Sequence, residues 1–200
     1  MRLTFSRIEL NDLAKAWIII SLAFAIVLSD GILGLSLLSN VLLAALTVGT
    51  GFLLHELGHK VIAQRYGCWA EFRADSYMLL LAIVTSFFGI VFAAPGAVMI
   101  AGRVSKMRNG LISLAGPAVN IVLAFMFLGL SFIFSNGFLG NVTVFGYIIN
   151  SWLAIFNLIP IWILDGKKVF DWNKIVWGVA LSLALSLFFL KGIMPLPTLS

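Results

Sequence analysis

Two imidazoles and a carboxylate fall within five residues of one another. The chain reads H-E-L-G-H at 55–59, and His55 and His59 are its only histidines. Four residues apart on a helix, the two rings stack on one face and can share a single metal ion. Glu56 is rotated by about a third of a turn, so it projects beside such an ion and suits a base acting on a water held there. Imidazole plus carboxylate favours zinc over iron or cobalt. The plain alternative is a pair of helix histidines satisfied by hydrogen bonds. Context speaks against it: the motif sits between the apolar run from Leu42 to Leu54 and Lys60-Val61-Ile62-Ala63. An acid at the centre of a membrane helix costs about 2.5–3.5 kcal/mol on insertion scales, so such groups mark function.

A catalytic zinc commonly has three protein ligands and one open position. The chain offers no third histidine. Cys68, Glu71 and Asp75 follow soon after the motif, whereas Asp165 is far away in sequence. Depth favours Asp165, because His55 and His59 lie near the inner end of their apolar segment and Asp165 lies at the inner end of its own. Without that context, the acid of Asp165-Gly166 would read as a turn or N-cap residue.

The elements that must position these groups are membrane helices. The chain is 62% hydrophobic and 10% charged, with a mean hydropathy of +1.10; soluble domains are about 25% charged. The expected fold class is an all-α polytopic membrane protein with about six apolar segments: 17–38, 41–64, 77–94, 110–134, 144–164 and 174–191. Residues 1–200 read as a single integral membrane domain with a catalytic core of about 41–170. The net charge of +5 is spread thinly between apolar runs, so it reads as a topology signal and not as a nucleic-acid surface. One cysteine excludes an internal disulfide. The run following Arg2, Arg7 and Lys15 reads as a retained first span, not a cleaved signal peptide.

Lysines and arginines collect on inner loops. That rule puts the N-terminus, Lys60, Arg65, Arg73, Lys167, Lys168 and Lys174 inside, and Trp17 and Trp172 at span ends. Residues 77–94 either cross, leaving Arg103, Lys106 and Arg108 outside, or dip in and return. The charges, with Gly89, Pro95, Gly96 and Gly102, favour a re-entrant segment, which must be buried in protein or line a wet cavity. Residues 95–106 form either an ordinary connecting loop or a short β element whose edge pairs with an extended substrate. Asp30 reads as the cap of a bend or as a residue of a polar cavity, Asn150 as an interhelical hydrogen-bonding residue, and Gly116 and Ala118 as allowances for close helix packing.

Further motifs stand on later segments: Ala115-Gly116-Pro117-Ala118-Val119-Asn120, and Asn157-Leu158-Ile159-Pro160 ahead of Ile161-Trp162-Ile163-Leu164-Asp165-Gly166. With H-E-L-G-H, these resemble the site-2 protease family of intramembrane zinc metalloproteases (peptidase family M50). That family pairs H-E-x-x-H with N-x-x-P-x-x-x-x-D-G and carries an A-G-P-x-x-N/S segment between them. The resemblance covers about 41–170. Trp162 stands where many members have a second proline. By position, the resemblance implies that His55, His59 and Asp165 bind one Zn2+ per chain and that Glu56 is the catalytic base and acid. Asn157 and Asn120 would hold the substrate backbone or the oxyanion.

The expected activity is zinc-dependent hydrolysis of peptide bonds in membrane-embedded protein substrates, as in regulated intramembrane proteolysis. The active site would lie toward the cytoplasmic side. The expected partners are a transmembrane protein substrate and the lipid bilayer. The competing class is a membrane metal-ion carrier using the same His/His/Asp site. Such a carrier has no use for a non-ligating Glu56, and carriers often show paired repeats, absent here. A third class is an inactive binding scaffold, against which the intact set of ligands and base argues.

Overall fold

The structure is a computed structural model that describes residues 3–29, 36–91 and 95–190; Asp30 lies outside these. In chain order the elements are α1 (Arg7–Leu28), α2 (Leu37–Ala44), a π turn (Ala45–Gly49), α3 (Thr50–Arg65), β1 (Trp69–Ala74), α4 (Ser76–Ser86), β2 (Gly96–Ala101), α5 (Lys106–Ser131), α6 (Gly137–Leu158), α7 (Asp165–Trp172) and α8 (Lys174–Phe189). Four helices are long and apolar enough to cross a membrane: Arg7–Leu28, the continuous helix Leu37–Arg65, Lys106–Ser131 and Gly137–Leu158. Two apolar helices, Ser76–Ser86 and Lys174–Phe189, are shorter. The six-segment reading therefore reduces to four candidate spans and two shorter helices among the described residues.

Helix α1 starts well before the expected 17–38. Ser6 caps it by accepting a hydrogen bond from the Glu9 N–H at 3.1 Å. The polar residues of its first turns face protein: Glu9 is buried, and Asp12 accepts from the Ala74 N–H at 3.4 Å. Trp17 lies within α1 and not at its end, and its indole N–H donates to the Ala45 carbonyl at 3.1 Å. That carbonyl also accepts from the Thr50 hydroxyl at 2.8 Å. These added donors accompany the π turn, which shifts the phase of all that follows by about one residue. The face that carries His55 and His59 is set by that shift.

A small antiparallel sheet interrupts the helical pattern. β1 pairs with β2 in the register Trp69↔Ala101 through Ala74↔Gly96. The β element expected near 95–106 is present as β2. Its partner β1 has no counterpart in the sequence reading, and the all-α expectation is corrected to that extent. Because Ala74 and Gly96 are register partners, the chain between them leaves and returns at the same level. Helix α4, at 11 residues, spans only about 16 Å, against about 30 Å of hydrocarbon. Asp75 caps it, accepting from the Tyr77 and Met78 N–H groups.

The core divides between α5, α6 and α8 on one side and α1, α3 and the sheet on the other. Ile121, Ala124, Phe127, Tyr147, Leu158 and Leu187 pack in the first cluster; Leu13, Ile20, Val48, Phe72 and Leu79 pack in the second. Single cysteines replacing Arg73 and Arg103, in a Cys68→Ser background, are expected to react with an impermeant maleimide from the same side of oriented vesicles. Labelling from opposite sides would mean that 77–94 crosses.

Candidate metal centre

The site forms where α3, α5 and the start of α7 meet. On α3, His55 and His59 place their Nε2 atoms 3.0 Å apart, with the rings edge to face at 84°. Asp165 Oδ2 lies 3.3 Å from His55 Nε2 and 3.0 Å from His59 Nε2. Both histidines are buried. The three donors form a near-equilateral triangle. Tetrahedral zinc with bonds of about 2.0–2.1 Å would set its donors about 3.3 Å apart, so this set fits that ion.

The far side of each ring decides its chemistry. His59 Nδ1 lies 2.7 Å from the Ile112 carbonyl, which can only accept, so Nδ1 carries the proton. His55 Nδ1 lies 2.6 Å from Asn120 Oδ1. The Asn120 amide nitrogen donates to the Gly51 carbonyl at 3.2 Å and to Asn150 Oδ1 at 3.0 Å, which leaves its oxygen as the acceptor for His55. The bond from Asn120 to Asn150 is the interhelical contact expected of Asn150, which in turn donates to the Gly146 carbonyl of its own helix at 2.8 Å. Both Nε2 atoms therefore present lone pairs to each other and to a carboxylate. Three electron-rich groups at contact distance in a buried pocket are suited to holding a cation among them.

Asp165 is delivered by a break in the chain. Pro160 follows the end of α6, and the turn Ile161–Leu164 closes through a bond from the Leu164 N–H to the Ile161 carbonyl at 2.9 Å. Within that turn Trp162 has φ +27°, the one non-glycine residue at positive φ among the described residues, and is 87% exposed. Asp165 then opens α7, where the helix dipole favours a negative charge. Gly166 is needed for the fold-back: a Cβ there would meet the Leu158 carbonyl oxygen at 2.1 Å.

Glu56, also buried, stands beside the triangle and outside the ligand set. Its Oε2 accepts from the Val98 N–H of β2 at 3.1 Å. Cys68, Glu71 and Asp75 are engaged elsewhere. Cys68 is buried against Gly102, Glu71 pairs with Arg73, and Asp75 caps α4. Asn157 donates to the Leu153 carbonyl of its own helix at 2.9 Å. Gly116 has more to do than the close packing expected of it. A Cβ at this position would lie 2.4 Å from His59 Nε2 and 2.6 Å from His55 Nε2. The missing side chain is part of the space a metal needs.

No protein-family model and no solved structure matches the chain. A Methanocaldococcus jannaschii protein provisionally named a zinc metalloprotease is 43% identical over 141 residues, covering 69% of this chain and 74% of the relative. The chain belongs to this zinc metalloprotease family. A second protein of the same organism, named a zinc metalloprotease, is 29% identical over 142 residues, which make up 69% of this chain and 37% of that longer relative. The triangle of His55, His59 and Asp165 is thus the candidate zinc site of a metalloprotease with four candidate membrane spans.

Substituting Gly116→Ala in this metalloprotease is expected to reduce bound zinc severalfold or more while leaving helicity by circular dichroism unchanged. Stoichiometric zinc in the variant would contradict the placement of the ion against Gly116.

Proposed function

We propose that the protein is a site-2 protease-like intramembrane zinc endopeptidase, cutting peptide bonds of membrane-embedded protein substrates. The observation that carries this reading is that a buried three-donor metal set and a buried non-ligating carboxylate lie beside the edge of a strand that has no strand partner. His55, His59 and Asp165 would hold one zinc ion per chain. When bound, zinc supplies Lewis-acid polarisation of the scissile carbonyl and acidifies water. Glu56 takes a proton from the attacking water as its oxygen bonds to the carbonyl carbon, and then delivers a proton to the amine nitrogen as the C–N bond breaks.

The amide of Asn120 is fully used in holding His55 and its helix neighbours. We therefore assign it to orienting that ligand and not to the oxyanion. Asn157 uses one amide hydrogen on Leu153 and remains the candidate for holding the substrate backbone. The site faces the cytoplasmic side in this reading, on the strength of Arg65, Arg73, Lys167, Lys168 and Lys174.

Strand β2 is the proposed docking edge. Val98 directs its N–H away from β1 and toward Glu56. By strand alternation the backbone groups of Gly96 and Ile100 point the same way. An extended substrate adding to this edge would lie alongside the catalytic carboxylate. A metal carrier would also use His55, His59 and Asp165, but it gives no role to Glu56 or to an open strand beside it.

Glu56→Gln should retain zinc and lose cleavage of a reconstituted membrane substrate by three orders of magnitude or more. Zinc loss with surviving cleavage would sink the assignment. Ile100→Pro removes one outward N–H without touching the β1 ladder. It should raise KM severalfold with zinc retained, and an unchanged KM would count against strand docking.

A further inference from the structure

Glu9 and Lys60 form an ion pair with no solvent exposure on either side chain. Lys60 Nζ donates to Glu9 Oε1 at 2.6 Å and Oε2 at 2.5 Å, and to the Ala70 carbonyl at 3.2 Å. The Phe5 ring lies 4.3 Å from the ammonium. Glu9 Oε1 also accepts from the Phe72 N–H at 2.9 Å. Lys60 is therefore no loop charge reporting topology, as its place after the second apolar segment suggested. It is buried, neutralised and adjacent in sequence to the metal ligand His59.

A buried ion pair is weak evidence for stability, because desolvation cancels much of the attraction. What this pair holds is more telling. Ala70 and Phe72 turn these backbone groups outward, away from β2, on the edge of β1 that has no strand partner. Gln64 adds a second donor to the Ala70 carbonyl at 3.3 Å, and Asp12 accepts from Ala74. Side chains from α1 and α3 thus close that edge and leave β2 as the open one. The contacts also make a ring. Lys60 binds Glu9, Glu9 binds Phe72, Phe72 stands opposite Val98, and Val98 donates to Glu56, one turn back on the helix that carries Lys60.

We propose that Glu9 and Lys60 are positioning residues that fix the height of the β2 edge against Glu56. The proposal rests on the proteolytic reading for its kinetic consequence, though the tether itself is a separate claim. Misplacing reacting groups by about 1 Å can cost on the order of 100-fold in rate. Substrate would still find the strand edge if the pair were lost, but its scissile bond would sit out of line with Glu56. The loss should therefore fall on kcat and spare KM.

Removing one partner strands a buried charge and risks misfolding, so the test uses two uncharged double variants of the full chain. Glu9→Leu with Lys60→Met removes the charges and the acceptor for Phe72. Glu9→Gln with Lys60→Met removes the charges but keeps an oxygen for that N–H. Zinc content, kcat and KM on a membrane-embedded substrate, and amide hydrogen exchange at Phe72 and Val98 are measured for both. The Leu/Met variant is expected to keep zinc and KM, lose at least tenfold in kcat, and exchange both amides at least tenfold faster. The Gln/Met variant is expected to recover most of the kcat and the protection of both amides. Parent-like kcat and exchange in the Leu/Met variant would overturn the proposal. So would loss of zinc, a change confined to KM, or no recovery in the Gln/Met variant. If the parent chain cleaves nothing while the exchange pattern holds, the tether stands and the proteolytic reading falls.

Discussion

The arrangement depends on three electron-rich atoms being held closer together than they would choose to lie. Two imidazole lone pairs and a carboxylate oxygen converge at 3.0–3.3 Å from α3 and the first residue of α7. Nothing local to either segment favours this. It is imposed by groups behind the ligands: the Ile112 carbonyl and Asn120 on α5 fix the rings, and the turn after Pro160 fixes the acid. Helix α5 is the common support, touching α3, α6 and α7. A bound cation would turn the electrostatic cost of the arrangement into its principal gain, which couples metal affinity to the packing of these helices.

The sheet shows the same logic applied to backbone. Each N–H or carbonyl left unpaired away from water is costly. On β1 the Ala70 carbonyl accepts from an ammonium and an amide, and the Phe72 and Ala74 N–H groups each meet a carboxylate. On β2 the outward Val98 N–H meets the Glu56 carboxylate. The asymmetry between the two edges gives the sheet a direction.

The ligands were legible because their chemistry is local. H-E-L-G-H states its own geometry once a helix is assumed, and Asp165 could be chosen over Glu71 and Asp75 by matching depth. The support around them was much less visible. Trp69-Ala70-Glu71-Phe72-Arg73-Ala74 reads as a charged connection, because its partner strand lies beyond α4 and its polar edge is completed by residues near the N-terminus. For the same reason nothing in the sequence marks Glu9 and Asp12 as partners of that edge, and α1 starts well before the expected segment 17–38. Lys60 obeyed a topology rule that counts charges without knowing which are paired. The apolar Ile161-Trp162-Ile163 extends the expected fifth segment, 144–164, past the true helix end at Leu158, since hydropathy cannot distinguish a lipid-facing span from an exposed turn. Gly116 was noticed, but only three-dimensional contact with both rings shows why a methyl group would be intolerable there.

The departure of the chain at Ala74 and its return at Gly96 close on one rung of a ladder. Helix α4 between those rungs is tied back to α1, where Leu79 packs in the core and Ser76 accepts from Lys15 Nζ. Its buried face is therefore held, whereas the outward Tyr77, Leu80 and Val84 are free to drift over evolutionary time without disturbing the strand beside Glu56.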